Sequence, residues 1–318
     1  MKNPPTLLPR IALAISALML SSASLGAPFN GFDLSNSLIE RSQILSGGPA
    51  KDGIPAIDQP HFVKPSQARF LKPDDRILGI EINGVSKAYP IKILNWHEIV
   101  NDSIGDVDYA ITYCPLCGSG VAFSARVQGK MLNFGVSGLL YNSDVLLYDR
   151  QTESLWSQIK SQAISGKMAG TKLERLPITH TRWRDWRRAH PTTRVMSEDT
   201  GYARDYNQNP YSGYEKSTAV YFRVKHKAPA YFHPKERVLG LEIDGRFKAY
   251  PFSEIDKLGK AEFNDSFGGK SVTIHWDKAS QQARMTDSSG KIIPTIEGFW
   301  FAWFAFHPDT EIFKAPTS

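Results

Sequence analysis

The chain has 318 residues, a formal net charge of +6 and two cysteines. This length favours about two domains with ample apolar surface to bury. The mild positive excess favours solubility and gives no argument for nucleic-acid binding. A chain of this size does not need a disulfide for its stability.

The first 26 residues have the pattern of an export signal. Lys2 and Arg10 supply the charged start, an apolar run covers 11–20, and small residues lead to a cleavage point after Gly26. The apolar run is short for a bilayer span, although an uncleaved anchor is the alternative interpretation. We therefore predict a periplasmic or secreted protein with no integral membrane segment after signal removal. Cleavage removes two positive charges and leaves 6 − 2 = +4.

An extended N-terminal segment is predicted for 28–69, where turn-forming glycine, proline and aspartate recur. An internal repeat follows it. The segment RILGIEINGVSKAYP at 76–90 returns as RVLGLEIDGRFKAYP at 237–251, with ten of fifteen positions identical and an offset of 237 − 76 = 161. Alternating apolar residues around Asn-Gly or Asp-Gly predict a β-hairpin in each copy. The proline that ends each copy favours a helix start, so we expect helices over 91–100 and 252–258.

The repeat continues through the next strand, where 109–114 aligns with 272–277. Cys114 and Cys117 then correspond to Asp277 and Ser280 of the second copy. We predict a β-rich α+β fold in which two hairpin–helix–strand units pack as a pseudo-dimer. The predicted organisation is a first unit with the Cys-x-x-Cys pair at 70–196, a linker at 197–235 and a second, cysteine-free unit at 236–314.

Four further stretches together resemble one known family. They are TYCPLCGS at 112–119, FGVSGLLYNSD at 134–144, DRQTESLWSQ at 149–158, and the region from Trp186 through HPTT at 190–193. Over most of its length after the signal, the chain is similar to the exported bacterial and archaeal family catalogued as domain of unknown function thirty-one seventy-nine. The resemblance implies no particular reaction. It implies that the cysteine loop, the Tyr-Asn-Ser-Asp loop and the Thr-Glu-Ser-Leu-Trp segment belong to one site.

The pair Cys114/Cys117 is compatible with three roles. Two thiols followed by glycine form half of a zinc knuckle and also suit copper(I), with His97 of the same unit as the predicted third metal ligand. The same spacing is found in thiol–disulfide enzymes, although the residues after Cys117 predict strands rather than a thiol-activating helix. In the third role the pair is a local structural disulfide.

The other predicted site residues follow the cysteines. Asp144 and Asp149, together with the two cysteines, are the predicted catalytic residues, and Tyr141, Asn142 and Ser143 are the predicted ligand-binding residues. Motifs of nucleotide loops, serine hydrolases and zinc proteases are absent from the sequence, so no nucleotide cofactor is expected.

The predicted function is an exported protein whose cysteine pair binds zinc or copper. The alternatives are a thiol–disulfide or other redox enzyme that uses the same pair, and a small-ligand binding module with a structural disulfide. The expected partner is a small molecule or another exported protein, and not a nucleic acid.

Overall fold

A computed structural model describes residues 29–316. The predicted signal peptide lies outside the described residues. Strands account for 41% and helices for 12% of the chain, which confirms the β-rich α+β class. None of the helices in this described range combines the length and apolarity that a membrane crossing requires.

The helices are few and short. They are α1 Ile91–His97, α2 Trp183–Ala189, α3 Phe252–Lys257 and α4 Trp300–Phe306. Single 3-10 turns occur at Arg41–Gln43, Pro65–Gln67 and Tyr214–Lys216.

The strands of the first half are β1 Ile44–Ser46, β2 Phe62–Val63, β3 Arg76–Ile82, β4 Val85–Pro90, β5 Ile99–Ile104, β6 Val107–Cys114, β7 Ser119–Ser124, β8 Arg126–Val127, β9 Lys130–Met131, β10 Phe134–Tyr141, β11 Asp144–Asp149 and β12 Leu155–Ser157. Those of the second half are β13 Gln162–Ser165, β14 Arg175–Leu176, β15 Thr179–Arg182, β16 Arg194–Met196, β17 Arg237–Ile243, β18 Arg246–Pro251, β19 Glu262–Phe267, β20 Lys270–Asp277, β21 Gln282–Asp287, β22 Ile292–Ile293, β23 Ile296–Phe299 and β24 Glu311–Ile312.

Both predicted hairpins are present. The β3–β4 pair turns at Asn83-Gly84 and the β17–β18 pair at Asp244-Gly245, and all four turn residues have positive φ. A two-residue turn of this kind matches the right-handed twist of the strands that it joins. The helix after the first hairpin is shorter than predicted. It ends at His97, because Glu98 takes a φ of 57° and the chain enters β5 at once.

The largest sheet joins strands from both predicted units. Its order is β24-β18-β17-β23-β7-β6-β5, and the short strand β14 also pairs with β7. The connection between the two halves is the pairing of β23 with β7, at Glu297 and Gly120. Separate sheets have the orders β1-β10-β11-β12-β13, β15-β3-β4-β16-β2, β19-β20-β21-β22 and β8-β9.

The segments predicted as extended or linking have little regular structure. The N-terminal segment supplies only short edge strands, β1 against β10 and β2 against β16. Residues 203–232, called the strap below, contain no strand. Among the described residues, every backbone–backbone hydrogen bond of the strap is to another residue of the strap. The strap therefore rests on the fold through side chains, and its backbone joins no sheet.

The main hydrophobic core lies where the two halves meet. It contains both cysteines, residues of β7, β10 and β11, and the aromatic residues of β23 and α4. Tyr214 from the strap belongs to the same core. The cysteine loop is consequently an interior feature of the molecule.

Candidate functional site

The cysteine loop is a tight turn between two paired strands. Cys114 ends β6 opposite Ser119, which begins β7, and the Cys117 amide donates a 3.2 Å hydrogen bond to the Cys114 carbonyl. Gly118 closes the turn with a φ of 60°, and a Cβ there would lie 2.7 Å from the Phe299 ring. Glycine is therefore needed both for the backbone conformation and for the close approach of β23.

The two cysteines are free thiols that lie 3.7 Å apart. Cys114 is 2% exposed and Cys117 is fully buried. Both sulfurs donate to the Ser143 carbonyl oxygen, at 3.8 Å from Cys114 and 3.4 Å from Cys117. Burial raises the pKa of both thiols. In the absence of a cation, the pair is therefore neutral and converges on a single acceptor.

That acceptor lies in the two-residue turn between β10 and β11. Asn142 and Ser143 have φ values of 52° and 67°. Asparagine tolerates this conformation, whereas serine in it is strained. The Asn142 side chain holds the turn in place, since it donates to the Ala305 carbonyl at 3.0 Å and accepts from the Lys225 amide at 2.8 Å. The turn is thus fixed with Ser143 and Asp144 towards the thiols.

Asp144 completes a cluster with the two cysteines. One ligand atom from each of the three residues lies within 4.8 Å of the others, and all three are buried. The Asp144 Oδ2 atom accepts from the Ile159 amide at 3.1 Å, while Oδ1 has no hydrogen-bond partner among the described residues. Burial raises the pKa of Asp144 to about 7. A buried carboxyl oxygen without a partner is costly unless a cation or a donor occupies the space beside it.

Glu98 is a second carboxyl at this site, and sequence reasoning missed it. Its carbonyl accepts from the Tyr113 amide at 2.7 Å, which ties the end of α1 to the strand that carries Cys114. Burial raises the pKa of Glu98 to about 8, and the Asp144 charge adds to the effect. No sequence signal points to it, because glutamate is rarely buried and its local pattern is that of a solvent-exposed acid.

His97 does not lie with the thiols, contrary to the predicted metal set. Its Nδ1 atom lies 2.8 Å from the Pro55 carbonyl and its Nε2 atom 2.7 Å from the Tyr206 hydroxyl. The ring is buried, and burial lowers its pKa. Both ring nitrogens are therefore engaged in packing α1 against the N-terminal segment and the strap. Among the described residues, Asp144 is the group that the fold brings to Cys114 and Cys117.

Asp149 and Tyr141 also lie apart from the thiols. Asp149 accepts from the Thr152 amide and hydroxyl at 2.6 and 2.7 Å and from the Trp156 indole at 2.9 Å. It stands at the far end of β11 from Asp144, about 17 Å away at the usual rise per residue. The two predicted catalytic carboxyl groups therefore do not lie together. Tyr141 packs edge-on against Phe306 with ring centroids 5.2 Å apart.

Residues from distant parts of the chain support the cysteine loop. The Ser119 hydroxyl donates to Gln158 at 2.6 Å, and the Gln158 amide donates to the Thr112 hydroxyl at 2.9 Å. Gln158 lies two residues after the Thr-Glu-Ser-Leu-Trp segment that the family resemblance associated with the cysteines. From the other side, the Phe299 amide donates to the Cys117 carbonyl at 2.7 Å, so the second half of the chain closes the site.

These features define a β-rich protein with a buried dithiol and a carboxyl group in its main core. The chain belongs to the family described as protein of unknown function (DUF3179), which matches residues 51–310. This confirms the resemblance found in the sequence motifs. Comparison with curated proteins and with solved structures gives no match.

Proposed function

We propose that the protein binds zinc through Cys114, Cys117 and Asp144. The observation that carries the proposal is the 3.7 Å separation of the two thiols. Two sulfurs bound at about 2.3 Å to one tetrahedral zinc ion lie about 3.8 Å apart. The dithiol therefore already has the spacing of a bound pair, and ion binding requires only the loss of its protons.

The unsatisfied polar atoms support the presence of an ion. Asp144 Oδ1 and the Ser143 hydroxyl are both buried without a hydrogen-bond partner among the described residues. Buried polar groups in native proteins are nearly always satisfied, and exceptions often mark an ion site. A cation held by the two sulfurs would give the free carboxyl oxygen a partner.

The donor set favours zinc over copper. Copper(I) prefers soft ligands such as thiolates and thioethers, whereas zinc accepts thiolate and carboxylate together. Three protein ligands also leave one position open, as in zinc sites that bind water or a substrate. Glu98 is coupled to the site, since the Asp144 charge adds to burial in raising the pKa of Glu98, and the charges of Asp144 and Glu98 add to burial in raising the pKa of Cys114. When bound, zinc would supply Lewis acidity here.

The redox alternative has less support. A reactive dithiol needs an accessible sulfur with a lowered pKa, and here burial raises the pKa of both thiols. Export remains part of the proposal, on the strength of the N-terminal charge and apolar pattern. In an oxidising compartment a bound metal would also protect the pair from disulfide formation.

We propose in addition that the fold arose by internal duplication. The order β3-β4-α1-β5-β6-β7 is followed later by the same order in β17-β18-α3-β19-β20-β21. The registers agree as well: Ile77 pairs with Pro90 in the first hairpin, and Val238 pairs with Pro251 in the second.

A second pair of helices extends this correspondence beyond the predicted repeat. The sequence Trp-x-x-Trp-x-x-x-His-Pro occurs at 183–191 in α2 and at 300–308 in α4. The Trp186 indole donates to Thr193, and the Trp303 indole donates to Thr310, each at 3.0 Å. These matched contacts support two copies of one unit, of which only the first carries cysteines.

The test is metal analysis of protein folded with equimolar zinc and copper. The wild-type chain should retain about one zinc ion, and Cys114→Ser should lose it. His97→Gln is the matched control, because it changes the buried histidine that the sequence predicted as a ligand and that lies apart from the thiols, and it should retain zinc. A wild-type chain that holds no metal would overturn the proposal. Retention of copper instead would keep the site and overturn the choice of ion.

A further inference from the structure

A cavity of about 270 Å³ lies beside the cysteine loop. Pro115, which stands between the two cysteines in the sequence, lines one side, and strap residues 206–209 line another. Aromatic rings, amide groups and the guanidinium of Arg76 all border the space. Sites for drug-sized ligands usually measure about 300–1,000 Å³, so the size of this cavity suits a small molecule.

Side chains of α1 hold the strap in place along the cavity. The Lys92 ammonium and the Asn95 amide each donate to an asparagine side chain of the stretch 207–209, both at 3.3 Å. The Trp96 indole donates to the Gln208 carbonyl at 3.1 Å. These bonds attach consecutive strap residues to one helix. This wall of the cavity is therefore already formed without a ligand, and binding needs little further ordering.

The second copy of the repeat contains a corresponding cavity. Three pairs of equivalent positions line the two cavities: Arg76 and Arg237, Ile91 and Phe252, and Tyr113 and Trp276. No residue of the strap, which the structure describes in full, lines the second cavity. The cavity is therefore a feature of the unit itself, and the strap encloses it only in the copy that carries the cysteines.

The guanidinium of Arg76 carries a charge that the surrounding side chains do not fully balance. Glu297 accepts two hydrogen bonds from Arg237 and one from Arg76. The Nδ1 atom of His180 lies 3.3 Å from the same carboxyl group, and burial lowers the pKa of this histidine, so its ring is neutral. Two cations thus share one anion, and one positive charge is left over. The Arg76 side chain is 29% exposed and lines the cavity that the strap encloses.

The acids at the cavity wall do not supply the missing negative charge. Among the described residues, neither Asp75 nor Glu215 forms an ion pair with Arg76, whose ion pair is with Glu297. The Asp75 carboxylate accepts from the Lys72 amide at 2.9 Å, and Glu215 is exposed to water, which screens its charge. A partly buried charge without a full partner is unfavourable. An anionic ligand in the cavity would supply that partner.

We propose that this cavity binds a small organic carboxylate, whose carboxyl group pairs with Arg76. A guanidinium presents parallel N–H donors that match the two oxygens of a carboxylate. One surplus positive charge suits a monoanion better than a phosphate group, which carries nearly two negative charges at neutral pH. The rings of Phe70, Tyr113 and Tyr211 border the same space and would pack against the apolar part of the ligand. This site does not depend on bound zinc, so the inference goes beyond the proposed function.

The experiment is calorimetric titration of the wild type, Arg76→Lys and Arg237→Lys with acetate, lactate and benzoate at neutral pH. At least one of these carboxylates should bind to the wild type at a single site, and its neutral amide should not. Arg76→Lys keeps a cation beside Glu297 but loses the paired donors, so it should bind that carboxylate about tenfold more weakly. Arg237→Lys is the matched control, because Arg237 is the equivalent residue of the second cavity. It should bind as the wild type does.

A second variant tests the cavity without altering the charged cluster. Asn95→Phe places a larger side chain at the cavity wall, where Asn95 is only half-buried, so this variant should fold like the wild type and lose carboxylate binding. Failure of the wild type to bind any of the three carboxylates, equal binding of their amides, or stronger binding of inorganic phosphate would overturn the inference. Wild-type affinity in both Arg76→Lys and Asn95→Phe would do the same. Zinc is measured on the same preparations, so that a chain that retains zinc and binds no carboxylate contradicts this inference and leaves the proposed function intact.

Discussion

Asp144→Asn should have opposite effects on the metal-free and the zinc-bound protein. The folded state raises the pKa of Asp144 from 3.8 to about 7. A carboxyl group whose pKa is raised in the folded state destabilises the folded protein at high pH. As pH rises, the group ionises in the unfolded chain first, while the folded chain still keeps the proton. The contribution of Asp144 to stability should therefore fall as pH rises from about 4 to about 7 and then level off.

The size of the effect follows from the shift. About three pKa units, at 1.36 kcal/mol each, correspond to about 4 kcal/mol for the metal-free protein near pH 8. Asparagine has no such loss, and its side-chain oxygen can still accept from the Ile159 amide. The Asp144 charge also raises the pKa of Glu98, so its removal adds to the gain in the same direction.

The assay is chemical denaturation of metal-free protein across this pH range. The free energy of unfolding of Asp144→Asn should exceed that of the wild type by a margin that grows by about 4 kcal/mol between about pH 4 and pH 8. Zinc should cancel this margin at about a thousand times its dissociation constant, where a ligand stabilises the folded chain by about 4 kcal/mol. At higher zinc concentrations the order should reverse, because the variant lacks one of the ligands.

The control is Asp106→Asn, an exposed aspartate in the turn between β5 and β6, which should follow the wild type throughout. If the unfolding free energies of Asp144→Asn and the wild type ran parallel with pH, the carboxyl would not be desolvated as described. If zinc stabilised both proteins equally, Asp144 would not be a ligand.

Two further predictions concern the junction between the halves. Glu297 is 4% exposed and accepts from Arg76 at 3.0 Å and from Arg237 at 3.0 Å. Glu297→Gln should cost about 3 kcal/mol at neutral pH, because it leaves two partly buried guanidinium groups without an anion. Burial alone would raise the pKa of Glu297, but Arg237, His180 and Arg76 together hold it low. The destabilisation measured by denaturation should therefore shrink as pH falls through the folded-state pKa of Glu297. Equal stability of Glu297→Gln and the wild type at neutral pH would contradict this prediction. A Cβ at Gly240 would lie 2.1 Å from the Trp303 ring, so Gly240→Ala should lower the free energy of unfolding by at least about 1–3 kcal/mol. An unchanged thermal unfolding curve would show that α4 shifts freely.

The hairpins could be predicted from the sequence because their signals are local. The Asn-Gly and Asp-Gly pairs need positive φ, and the alternating apolar residues beside them specify which face is buried. The cysteine turn is equally local, since its two thiols and its glycine are neighbours in the chain. The resemblance to the family added Ser143 and Asp144 to the same site, although it gave no distances.

The third group of the site could not be chosen from the sequence. His97 and Asp144 both lie within about thirty residues of Cys114, and metal-ligand preference alone favours histidine for zinc and copper. The choice depends on where α1 ends and on which way the β10–β11 turn faces. The contacts of the His97 ring with Pro55 and Tyr206 are long-range, and no periodicity in the sequence reports them.

The burial of Tyr214 could not be predicted from the sequence, for a related reason. The strap has no strand and a single 3-10 turn, so its place against the core follows from side-chain packing. A segment rich in Tyr, Asn, Gly and Pro predicts a linker. Its composition does not distinguish a tyrosine that is buried in the core from one that is exposed to solvent. The contrast between buried Tyr214 and exposed Tyr221 appears only in three dimensions.

The two thiols lie in a core that includes residues from late in the chain, and this affects what can happen to the thiols during folding. Cys114 and Cys117 share their hydrophobic core with Tyr214 and Phe299, which follow them by about one hundred residues or more. In a chain that emerges from its N-terminus, the thiols are made long before their cover is available. Under the proposed function, zinc and oxidants would compete for the same pair during that interval, and docking of the later residues would preserve whichever outcome came first. Protein from zinc-poor and zinc-rich cultures should then differ in the state of its thiols.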